Sequence, residues 1–195
     1  MAADAPSHPA DALATRLGQK LVSRTEFRGE LTLSVTPGAL REALRHCKDE
    51  LGFDYLIDIS SVDHFGEEPR FELVYELYSL AHRAHLRIKA PVSEDHCTAP
   101  SVIDLWPTAD WHEREIFDMM GIRFEGHPDL RRILMWEGYP YYPLRKDFPL
   151  EGRDSSVPEV AFSSPAPLEG GPFVTVPSDA GTKDREPRAR RVGED

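Results

Sequence analysis

Phe71-Glu72-Leu73-Val74-Tyr75-Glu76-Leu77-Tyr78 sets Phe71, Leu73, Tyr75 and Leu77 in alternation with Glu72, Val74 and Glu76. Successive side chains of an extended chain point to opposite faces, so this period predicts a strand with a buried side. His85–Ala90 repeats the pattern, with Leu86, Ile88 and Ala90 set against Arg87 and Lys89, and the two runs predict a hairpin. Upstream, Tyr55–Ile59 reads as a third strand. Ahead of it a helix is predicted from Pro37-Gly38 to about Leu51, with proline in the first turn and Gly52 just past the end. Leu21–Phe27 and Leu31–Thr36 are short strands joined through Arg28-Gly29-Glu30, and Leu31, Leu33 and Val35 alternate with Thr32, Ser34 and Thr36. Residues 8–18 read as a short helix ending at Gly18. The order helix, strand, strand, helix, three strands predicts an α+β fold, a mixed sheet covered by helices on one face. Residues 1–100 form this N-terminal α+β domain.

From Pro100 the pattern changes. Ser101–Trp106 is a short helix candidate. Asp110 then resembles an N-cap with Glu113 as its capping-box partner, opening a helix from Trp111 to Met120 that stops at Gly121. Residues 101–150 are thus a helix followed by a charged, proline-rich loop segment. Residues 151–195 hold six prolines and five glycines without sustained periodicity, the composition of an extended or disordered tail.

Composition removes several function classes. The formal net charge of −11 opposes a broad nucleic-acid footprint and direct docking on anionic lipid. No apolar run approaches the ~20 residues of a membrane helix. The opening MAADAPSHPADALATRLG has no basic start followed by an apolar stretch, so a secretory signal is not expected. Cys47 and Cys97 are too few for an iron–sulfur cluster or a cysteine-based zinc site, and read as two inert thiols. No GxGxxG or GxxxxGK[ST] loop occurs, so no nucleotide cofactor is expected on this chain.

Two histidine patterns test a catalytic function. His112-Glu113-Arg114-Glu115-Ile116 begins like a zinc-protease helix, but Ile116 stands where the second ligand belongs. His82 and His85 lie near a strand turn with side chains facing opposite ways, as surface histidines do. A stand-alone hydrolase built on the Glu/His cluster is therefore a remote alternative.

What remains is the dense stretch from Trp111 to Leu134. Arg114 and Asp118 are one turn apart and predict an intrahelical ion pair of ~0.3–0.5 kcal/mol. Trp111, Ile116, Phe117, Met119 and Met120 place apolar groups around the same helix, which predicts burial with the charges paired. Arg131, Arg132, Arg145 and Lys146 are candidate partners for those carboxylates.

At these residues the chain resembles the 30-kDa subunit family of complex I, which in bacteria is the C subunit of NADH-quinone oxidoreductase. The family signature is Glu-Arg-Glu, two free positions, an acidic residue, two apolar residues, six free positions, His or Lys, then a basic-x-apolar-apolar ending. Glu113, Arg114, Glu115, Asp118, Met119, Met120, His127, Arg131, Ile133 and Leu134 fill its fixed places. Pro143-Leu144-Arg145-Lys146-Asp147-Phe148-Pro149 is similar to the family's Pro-Leu-Arg-Lys-Asp-Phe/Tyr-Pro ending.

The resemblance implies a structural role in the peripheral arm of respiratory NADH:quinone oxidoreductase. The chain would carry no flavin and no cluster. It would pack on the 49-kDa-type quinone-chamber subunit and near the iron–sulfur subunits, peripherally on the cytoplasmic side of the inner membrane. Trp111, Arg114, Arg131, Arg132, Trp136, Tyr141, Tyr142 and Arg145 have the aromatic and arginine composition of an interface. Homologous subunits also occur in complexes fed by deazaflavin or ferredoxin or coupled to hydrogen production, a second reading of the same scaffold.

Overall fold

The structure is a computed structural model that describes residues 8–149. The tail expected over 151–195 lies outside the described residues.

The chain enters through α1 (Asp11–Leu17), which stops at Gly18 with φ 50°. It starts later than the predicted residue 8 because Pro9 and Ala10 form a turn first. β1 (Leu21–Phe27) and β2 (Glu30–Val35) form an antiparallel hairpin whose two-residue turn, Arg28-Gly29, has positive φ at both positions. This turn hand matches the twist of the flanking strands. Pro37–Ala39 tighten into a 3₁₀ turn before α2 (Leu40–Asp49). β3 (Tyr55–Asp63), β4 (Phe71–Ser79) and β5 (Ala84–Val92) complete a five-stranded sheet in the order β1-β2-β5-β4-β3. β2 runs parallel to β5 and the other neighbours are antiparallel, so the sheet is mixed.

The decisive alternation is the one that packs the core. Phe71, Leu73, Tyr75 and Leu77 are buried with Leu86, Ile88 and Ala90 against Leu40, Ala43, Leu44 and Cys47 of α2. The opposite face keeps the charges, with Lys89 on Glu72 at 2.7 Å and Arg87 on Glu76 across neighbouring strands. β3 runs four residues beyond its predicted end and brings Asp63 to the rim of the sheet.

After β5 the chain departs from prediction in three places. Ser101–Trp106 is not a helix but a turn over Ile103–Leu105. Its amides are claimed by tertiary partners: Ser101 N–H donates to the Glu125 carbonyl and Val102 N–H to the Glu113 carboxylate. Two three-residue strands, β6 (Thr98–Pro100) and β7 (Arg123–Glu125), pair in parallel and are too short to show a period. Finally, α3 (Ala109–Met120) begins one residue before Asp110, with Thr108 as N-cap and no side-chain cap bond. The predicted capping box does not form, because Glu113 turns inward instead.

Candidate functional site

α3 ends at Gly121, whose N–H still reaches the Phe117 carbonyl and whose left-handed conformation (φ 80°, ψ 15°) turns the chain out of the helix. Glycine is required here twice over. The conformation disfavours a side chain, and an added Cβ would lie 2.7 Å from Arg145 and from Tyr142. The chain beyond α3 then wraps back over the helix, and the signature residues tie the two together.

Asp118 is the central tie. Fully buried, it accepts hydrogen bonds from three consecutive amides, those of Ile133 (3.0 Å), Leu134 (2.6 Å) and Met135 (2.8 Å). It also meets Arg132 at 2.5 Å. Burial pushes this carboxyl up, but the Met135 amide, Arg132 and the other two amides outweigh it and hold the group below the usual aspartate range. Arg132 also donates to the carbonyls of Asp118 (2.9 Å) and Tyr141 (3.2 Å), and its guanidinium lies over the Tyr142 and Tyr139 rings.

The predicted Arg114–Asp118 pair is therefore not what forms. Arg114 is buried and donates to the backbone carbonyls of Arg131 (3.2 Å) and Arg132 (3.3 Å), while Asp118 is taken by Arg132. Both side chains serve the returning loop, so one helix face holds two separate ties. Trp111 also departs from expectation: it is 62% exposed and lies over the Arg114 guanidinium at 5.4 Å. Glu113 is fully buried, Glu115 is exposed, and Arg131 faces solvent beside Asp129 at 2.8 Å. Ile133 is half-buried and Leu134 exposed. The His127 ring is enclosed, with Nε2 3.4 Å from the Asp110 carbonyl and Nδ1 accepting the Asp129 N–H at 3.0 Å.

The second strap, Pro143–Asp147, is held by the end of α3 and by the sheet rim. Pro143 is half-buried and Leu144 exposed, with the Leu144 N–H on the Met119 carbonyl at 3.2 Å. Arg145 donates to the Met120 carbonyl at 2.7 Å and lies over Tyr142 and Phe71. Lys146 contributes its backbone N–H to Asp63 at 2.8 Å, and Asp147 meets Arg70 at 2.5 Å.

Asp63 and Arg70 were not among the residues singled out by sequence. Arg70 makes two 2.9 Å bonds to Asp63 and a third ion pair to Glu94 at 2.6 Å. Arg70 depresses the carboxyls of both Asp63 and Asp147, and the Lys146 amide adds to the effect on Asp63. The available signal was positional. Asp63 and Arg70 bracket the β3–β4 turn, but seeing that they meet requires the hairpin register, which places Asp63 opposite Phe71.

His112 lies 3.2 Å from Asp58. Cys47 and Cys97 are both free thiols. Among the described residues no three His, Cys, Asp or Glu side chains converge as metal ligands, and no helix is long and apolar enough to cross a membrane.

The class of protein defined here is a small α+β module whose helix α3 is strapped down by a charged, aromatic loop. Comparison with known sequences narrows the class. The profile of the family described as respiratory-chain NADH dehydrogenase, 30 Kd subunit, matches residues 33–154, and the chain belongs to that family. The C subunit of the NADH-quinone oxidoreductase of Geotalea uraniireducens is 44% identical over 142 residues, covering 73% of this chain and 87% of that protein. The corresponding C 2 subunit of Rhizobium meliloti is 48% identical over 143 residues, 72% of this chain and 78% of the relative. Among solved structures, a trypsin-resistant fragment of Nqo5 is similar with a TM-score of 0.56 and 32% identity, over 62% of this chain and 97% of the fragment. A chain of the membrane-bound sulfane sulfur reductase, an archaeal respiratory membrane complex, matches with a TM-score of 0.60 and 27% identity, over 72% and 85%.

Proposed function

We propose that this chain is a cofactor-free structural subunit of the peripheral arm of NADH:quinone oxidoreductase, non-catalytic by itself. It packs on the 49-kDa-type quinone-chamber subunit and beside the iron–sulfur subunits. Its place is on the cytoplasmic side of the inner membrane, held there by protein contacts. In this reading residues 1–100 form the platform. Residues 101–150 are the docking segment, packed on the platform and on partners, and 151–195 extend over a partner.

One observation carries the reading: the signature stretch is tied down from within and yet holds large apolar side chains in solvent among its exposed charges. Buried ties at Asp118, Arg114 and Arg132 fix the loop, while Trp111, Leu134 and Leu144 stand 57–62% exposed on the same helix and straps. Large exposed apolar side chains on a pre-organised segment are what an obligate interface supplies. Fixed geometry is also the physical requirement of an arm in which electrons pass between cofactors held by other chains.

The test is Leu134→Asp in the intact organism. The free chain should fold as before, and the amount of complex on a native gel should fall. Quinone-reductase activity per intact complex should be unchanged. Full assembly with reduced activity per complex would overturn the structural role. Purified chain should also lack flavin fluorescence and carry no stoichiometric iron. The likeness to the sulfane sulfur reductase chain favours, as a second reading, the same scaffold role in a related complex with another electron donor. Co-purification of flavin- and NADH-binding subunits decides between them.

A further inference from the structure

Glu113 lies wholly out of solvent. Its two oxygens are treated differently. Oε1 accepts the Val102 N–H at 2.7 Å, and the Ser101 hydroxyl also donates to this carboxyl. Among the described residues Oε2 is buried without a partner, and so is the hydroxyl of Tyr75, the fully buried tyrosine of β4 within electrostatic reach of Glu113. A buried carboxylate normally requires a counter-charge. Among the described residues Glu113 has no ion pair.

The groups around it do not supply one. Tyr75 approaches from the sheet and is neutral. His127, beyond β7, is engaged elsewhere, with Nδ1 on the Asp129 N–H and Nε2 facing Asp110, and its pull on the Glu113 carboxyl is smaller than the effect of burial. Asp110, on α3 itself, is a second carboxyl that opposes ionisation of the first. Arg41 of α2 reaches the Ser101 carbonyl, and its guanidinium is taken by that carbonyl and Asp104.

We propose that Glu113 resides in the fold as a neutral carboxylic acid with its proton on Oε2, so that the seat of α3 on the sheet loosens as pH rises. The Val102 N–H at Oε1 and an enclosed, unpartnered Oε2 are the arrangement of an acid that accepts on one oxygen and carries its proton on the other. Burial is the main cause that raises this carboxyl above its ordinary value of 4.5, and the Ser101 and Val102 donors only partly oppose it. A raised folded-state pKa places the sign: the full contribution holds below 4.5 and is lost as pH climbs through the folded-state value.

The experiment compares full-length wild type with Glu113→Gln, which imitates the neutral acid. The melting temperature of the variant should gain on wild type by about 4 °C per pH unit between the two pKa values, then hold that lead. Infrared spectra at about pH 6, where exposed carboxyls are ionised, should show a carboxylic-acid C=O band in wild type that is absent from the variant. Tyr75→Phe, which keeps Glu113, should shift that band. A variant that melts below wild type at every pH, or wild type without the acid band, overturns the proposal.

Discussion

Asp63 and Arg70 meet side-on at the rim of the sheet, with two 2.9 Å hydrogen bonds between side chains that are 2% and 4% exposed. The same arginine reaches Asp147 and the same aspartate holds the Lys146 amide, so one buried pair carries the end of the strap. The ending Leu144–Asp147 is thereby explained as a docked segment.

Arg70→Ala should leave Asp63 buried without its counter-charge and cost roughly 3–5 kcal/mol. Glu94→Ala removes a half-exposed partner of the same arginine and should cost below about 1 kcal/mol. Chemical denaturation of the two variants checks the contrast; equal effects would show that the Asp63–Arg70 pair is not the dominant tie.

The two arginines that tie α3 to the returning loop should separate in the same assay. Arg132→Ala strips Asp118 of its only ion-pair partner among the described residues and should cost about 3 kcal/mol or more. Arg114→Ala removes two bonds to carbonyls and orphans no carboxylate, so about 1.5–3 kcal/mol is expected. The reverse order would restore the intrahelical pairing expected from helix spacing.

Gly121→Ala combines a left-handed backbone penalty of about 1–2 kcal/mol with a clash against Arg145 and Tyr142. The strap should be pushed off before the sheet is affected. Limited proteolysis is expected to cut near 142–147 in the variant while β1–β5 remain protected by hydrogen exchange.

Acid should act on the straps in the opposite sense to the proposed effect at Glu113. Asp63, Asp118 and Asp147 are depressed below the ordinary 3.8, so their contribution is present above that value and lost as pH falls through the folded-state values. Melting temperature should drop steeply below about pH 4, and Asp118→Asn should flatten part of that drop.

The strands were legible because their information is local. Phe71 to Leu77 alternate over four cycles, and a half-buried strand is the one element that uses such a period. Gly18, Gly29 and Gly121 marked real chain reversals, since each needs a positive φ. The signature residues were legible as a group through a family pattern, but not their partners. Arg114 and Asp118 are placed one turn apart by helix geometry, yet each bonds to the loop at 131–135. Glu113 reads as a cap residue and acts as a buried acid, because Val102 supplies its donor from a segment eleven residues away.

Residue type and spacing along the chain were enough for the alternation, the turn positions, the element order and the family, since all of these are properties of a linear pattern. Which charge meets which was settled by the fold. Asp63, Arg70 and Asp147 are joined across 84 positions of chain from first to last, and Trp111 is left outside a helix whose other apolar groups turn in. Ion pairing and burial depend on distances through space, and those distances exist only once the sheet has brought its rim and the returning loop together.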